Sequence, residues 1–122
     1  MMKWMKLGSF LLMFALLTGV AMAQGEGGLQ RFFISDWPDH PRDDVEFEAA
    51  FTLQPDRGSV RLVLSGSGGS QTVRPDEVDY EHGLWEYEFD HIYLSTGTWT
   101  PTLHWSVNGK PYTSTQESFT IR

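Results

Sequence analysis

From Val45 onward, apolar and polar residues alternate with a period of two, and no helical period interrupts them. Val45, Phe47, Ala49, Phe51 and Leu53 point one way, while Glu46, Glu48, Ala50 and Thr52 point the other. Such a strand buries one face and wets the other. Gln54-Pro55-Asp56-Arg57-Gly58 then reads as a turn. Val60, Leu62 and Leu64 make a second apolar face. The glycine-serine stretch SGSGGS (residues 65–70) is expected to be an unpacked loop before a short strand over residues 71–74. Residues 75–83, with Asp76, Glu77, Asp79 and Glu81, are expected to form a polar loop. Trp85, Tyr87 and Phe89 alternate with Glu86, Glu88 and Asp90, but Ile92 and Leu94 fall in the opposite phase. A bulge at Asp90-His91 is the simplest cause of that flip.

Ser95-Thr96-Gly97 turns the chain into a long strand on which Trp99, Leu103, Trp105 and Val107 share a phase, and Asn108-Gly109 signals a hairpin. A two-residue turn sets Tyr112 opposite Trp105 but sends Phe119 and Ile121 to the outer face. A three-residue loop with Gly109 left-handed pairs Ser106 with Lys110. It brings Phe119 and Ile121 onto the face of Trp99, Leu103 and Trp105. Slipping a strand by one residue exchanges its faces, so the three-residue loop is the expected one. It places Tyr112 beside His104 on the outer face. Six to seven short strands in one domain over residues 29–122 predict an all-β, immunoglobulin-like two-sheet antiparallel sandwich, with a small barrel as the alternative.

The segment before these strands has a different pattern. Lys3 and Lys6 precede an apolar run from Leu7 to Val20, and Ala21-Met22-Ala23 has the small-x-small form of a signal-peptidase site. The run is shorter than the roughly 20 residues of a membrane-spanning helix. Residues 1–23 are therefore expected to be a helical secretory signal, followed by a flexible leader over residues 24–28. The protein is expected in the periplasm or outside the cell, with no membrane insertion after cleavage. All five Met precede Gln24 and the chain has no Cys, so no sulfur ligand or disulfide is left to the domain. Loss of the two lysines takes the net charge from −7 to −9. So acidic a surface repels nucleic acid.

The stretch LSTGTWTPTLHWSVNGKPYTSTQESFTI (residues 94–121) resembles two groups of bacterial exported sandwiches. In CopC-like copper-resistance domains the last hairpin runs G-T-Y-x-V-x-W, a turn, G-H-P and a closing F-x-V. Gly97-Thr98-Trp99, Trp105, Gly109-Lys110-Pro111 and Phe119-Thr120-Ile121 stand at similar places. The YtkA-like group, related to FixH, has a comparable G-x-W/Y strand and short hairpin. The resemblance implies an immunoglobulin-like fold and, in the CopC-like case, copper handling. The CopC-like copper ligands, an N-terminal histidine and the histidine of the turn, correspond here to Gln24 and Lys110.

Six of the sixteen acidic residues lie between Asp36 and Glu48 and seven between Asp76 and Asp90. Within the first group Asp36, Asp39, His40 and Asp43 surround two prolines, and these four are the candidate ligands for a divalent metal ion. No other cofactor is implied. Trp37, Tyr80, His104 and Tyr112 are the candidate surface contacts, because their phase leaves them free of the core. No Cys nucleophile, G-x-S-x-G elbow, H-E-x-x-H or phosphate loop is present. The sequence thus predicts a non-catalytic binding domain for an unidentified protein partner. Periplasmic copper handling is the first alternative and carbohydrate binding the second.

Overall fold

The computed structural model describes residues 26–38 and 43–122. The expected signal segment and the candidate ligands Asp39 and His40 lie outside the described residues. Among the described residues nine strands follow a short 3-10 turn at Glu26–Gly28: β1 (Leu29–Asp36), β2 (Val45–Phe51), β3 (Arg61–Gly66), β4 (Gly69–Val73), β5 (Glu77–Glu81), β6 (Leu84–Ile92), β7 (Gly97–Val107), β8 (Lys110–Thr115) and β9 (Phe119–Ile121). They form two antiparallel sheets, β1-β2-β6-β5 and β4-β3-β7-β8, with β9 pairing β7 beyond the end of β8. The two sheets pack as a sandwich. Between them Phe47, Phe51 and Phe89 of one sheet and Leu62, Leu64 and Leu103 of the other are completely buried. Burying one such aromatic or aliphatic side chain contributes about 2 kcal/mol, so these rows supply the main cohesion of a domain without disulfides.

Several local expectations change, each for a physical reason. Residues 65–70 are a tight hairpin: Gly66 pairs Gly69 around a two-residue turn, and the sheet's hydrogen bonds continue through the glycines. Residues 77–81 form the edge strand β5, although every residue in it is exposed; pairing with β6 holds it there. Leu53 lies past the end of β2 and is half exposed. Gly27 and Gly28, expected in a flexible leader, are buried. The Gly27 carbonyl accepts the Trp105 indole N–H at 3.0 Å, and the Gly28 carbonyl accepts the Thr52 amide at 2.7 Å.

The last hairpin has the two-residue turn. Val107 pairs Lys110, and Asn108 and Gly109 both have positive φ (52° and 82°), as a type I′ turn requires. Tyr112 therefore sits opposite Trp105, on the inner face. Phe119 and Ile121 still reach the core because residues 116–118 interrupt the strand. Thr102 pairs Thr115 whereas Trp99 pairs Phe119, so the edge carries one extra residue and its faces exchange. The bulge at Asp90-His91 is present: Val45 pairs Ile92 and Phe47 pairs Phe89, with His91 at φ 57°.

Candidate binding surface

The outer face of the β1-β2-β6-β5 sheet is built from the polar half of each alternation. Register aligns Phe33, Glu48, Glu88 and Glu77 in one row across the four strands. Arg31, Ala50, Glu86 and Asp79 form the next row. Three glutamates thus stand directly opposite one another on adjacent strands, an arrangement that costs stability. Burial, and then Glu77, Asp90, Glu48 and Asp79, push the Glu88 carboxyl above its ordinary range.

Arg31 offsets part of this charge. One of its guanidinium nitrogens donates to Glu86 at 2.8 Å and to Glu48 at 3.1 Å, spanning Ala50, which lies between Arg31 and Glu86 in register. Ala50 is fully buried even though it belongs to the outward phase. Among the described residues, Arg31 is the one basic side chain in an ion pair.

At the end of the same face Asp36 pairs Glu46, and Asp36, Asp44 and Glu46 can each bring a carboxylate oxygen within 4.8 Å of the others. Burial, and then Asp90, Asp36 and Asp44, raise the Glu46 carboxyl, with His91 acting in the opposite sense. Three hard oxygen donors suit a cation such as Ca²⁺ better than a soft metal. Of the four predicted metal residues, Asp36 belongs to this group, Asp43 is the chain neighbour of Asp44, and Asp39 and His40 lie outside the described residues. Glu46 was legible only as part of the wet face of a strand, because the Asp36–Glu46 register is a tertiary fact.

The predicted surface contacts do not share one platform. Trp37 is 62% exposed and meets Phe119 edge-on, with ring centroids 6.1 Å apart. Tyr80 is 59% exposed and leans on Trp85 at 4.5 Å, at the opposite edge of the first sheet. His104 is half-buried on the outer face of the second sheet, between Arg61 and Thr113, and burial followed by Arg61 lowers its pKa. Tyr112 does not stand beside it. Its ring stacks on Trp105 at 5.7 Å and packs against the core, as the two-residue turn dictates.

Around His104 the outer face of the second sheet is a field of hydroxyls. Thr98 bonds Thr120 at 3.2 Å, Thr100 bonds Ser118 at 2.6 Å and Thr102 bonds Thr115 at 3.0 Å. The two outer faces therefore differ in chemistry, one densely anionic and the other largely neutral. Compared with models of known protein families, with curated proteins and with solved structures, the chain matches none.

Proposed function

We propose that this protein is an exported, non-catalytic recognition domain that binds the cationic surface of a protein partner through the outer face of the β1-β2-β6-β5 sheet. The observation that carries the reading is the Glu48–Glu88–Glu77 row, with Glu86 and Asp79 in the row beside it. Aligned like charges weaken a sheet, and a cationic partner would relieve that repulsion. Phe33, 40% exposed at the end of the same row, supplies an aromatic contact on an otherwise polar surface. Export is supported by Lys3 and Lys6, the apolar run after them and the Ala21-Met22-Ala23 site.

The test is a titration of the ¹⁵N-labelled protein with a lysine-rich peptide, followed by amide shifts. Binding should perturb β2, β5 and β6, weaken with salt, and drop about tenfold in Glu48→Gln/Glu88→Gln. The control Glu26→Gln/Glu117→Gln carries the same change in charge at residues outside the four strands of this sheet and should bind like the parent. Shifts spread evenly over the molecule, or equal losses in the two double variants, would refute the reading.

A further inference from the structure

The chain crosses from one sheet to the other between β4 and β5, and these are edge strands of their respective sheets. At this side of the sandwich lies a cleft of about 440 Å³. Pro55, Val60, Pro75, Val78, Trp85 and Tyr87 form its apolar walls. Trp85 and Tyr87 belong to the inward phase of β6, so the cleft opens toward the core of the sandwich. Val78, 47% exposed, stands at its mouth. A volume of this size lies within the roughly 300–1,000 Å³ of small-molecule sites.

Two arginines, Arg57 and Arg74, line the same cleft, and among the described residues no acidic one does. In so acidic a chain this is an unusual local balance. The acids nearest in sequence are engaged elsewhere. The Asp56 carboxylate accepts from the Ser106 hydroxyl and from the Asn108 and Gly109 amides, and the Asp76 carboxylate accepts from the Asp90 amide. Arg74 donates to the Gly58 carbonyl at 3.1 Å, which fixes it against the β2–β3 loop, and Arg57 is exposed. Neither guanidinium forms an ion pair with a described carboxylate.

We propose that this cleft binds a small amphipathic carboxylate, with its apolar body against Val78, Trp85 and Tyr87 and its head group on Arg57 and Arg74. The apolar walls supply affinity without direction. The two planar guanidinium groups supply charge-assisted hydrogen bonds that select a carboxylate. The field of the whole molecule opposes an anion, so a preference for one must arise locally, which makes the sign of the preference diagnostic.

Calorimetric titration of the purified protein with decanoate and with decyltrimethylammonium, both below micelle formation, separates head group from tail. Decanoate should bind at least about tenfold more tightly, the order of effect expected for charge-assisted hydrogen bonds. Amide shifts should centre on Val60, Val78 and Trp85. Arg57→Gln/Arg74→Gln should remove the preference. Arg57→Gln alone, which keeps the Arg74–Gly58 bond, should weaken decanoate measurably. Val78→Asp, a change at the exposed mouth, should invert the preference without disturbing the fold. Equal affinity for the two ligands, tighter binding of the ammonium, no saturable decanoate binding, or shifts centred elsewhere would overturn the proposal.

Discussion

Single residues with unusual backbones set the most local tests. Gly27 and Gly109 both have positive φ (58° and 82°), a region that costs an L-residue about 1 kcal/mol. Their surroundings differ. A Cβ at Gly109 would meet open space, whereas one at Gly27 would lie 2.6 Å from the Tyr112 ring and 2.7 Å from the Trp105 indole nitrogen. Gly109→Ala should therefore cost about 1 kcal/mol, and Gly27→Ala about 3 kcal/mol, because overpacking adds to the backbone term. Urea unfolding of the two variants checks the order; equal losses would mean that the Tyr112 and Trp105 rings yield to the added methyl at no cost. Asn108-Gly109 was legible as a hairpin from its residue types. The burial of Gly27 was not, since only the folded chain brings it beneath Trp105 and Tyr112.

At the scale of elements, the β2, β5 and β6 strands are joined with carboxylate facing carboxylate. Glu88→Gln removes the central charge of the row and leaves its neighbours, Glu48 and Glu77, without a directly opposed anion. The variant should be more stable than the parent by about 0.5 kcal/mol in dilute buffer, and the gain should shrink as salt screens the repulsion. Denaturant midpoints at low and high salt read this directly; a loss of stability at low salt would show that Glu88 has a stabilising partner. The alternation that defined β2 and β6 was visible in the sequence, as was the β6 bulge, because Ile92 and Leu94 break phase with Phe89. The edge strand β5 was hidden, since five exposed residues, three of them acidic, look like a loop until β6 supplies their partners. The end of the last hairpin misled for a related reason. Phe119 and Ile121 demanded a change of phase somewhere, and the chain makes it at residues 116–118 rather than at Asn108-Gly109.

The molecule as a whole should have an unusual pH profile, because its shifted carboxyls act in opposite senses. Glu46 and Glu88 are raised, chiefly by burial and then by neighbouring acids. Their ionised forms penalise the folded state, so stability is gained as pH falls through their raised values. Asp56 is lowered, first by the Ser106 hydroxyl and then by the Gly109 amide, with the Asn108 amide adding to these. Its stabilisation is present above the ordinary aspartate range and is lost as pH falls through the lowered value. The melting temperature in dilute buffer should therefore rise between neutral pH and the upper edge of the carboxylate range, then fall at lower pH. Asp56→Asn should melt lower than the parent at neutral pH and show a shallower acid decline. A parent whose melting temperature falls steadily from neutral pH downward would contradict this balance.

Period-two alternation, turn residues and the absence of cysteine were enough to specify a β-sandwich held by its core. These signals are local, and a strand's burial pattern is written into its own residues. The placement of chemistry was not local. Which carboxylates oppose one another depends on register between strands far apart in sequence, as Glu48, Glu88 and Glu77 illustrate. The pairing of Arg57 and Arg74 over one apolar cleft depends on where the chain changes sheets. Tyr112 makes the same point at a single residue. The expected three-residue loop gave it an outward phase and left it free to be a surface contact, and a turn one residue shorter turned it onto Trp105.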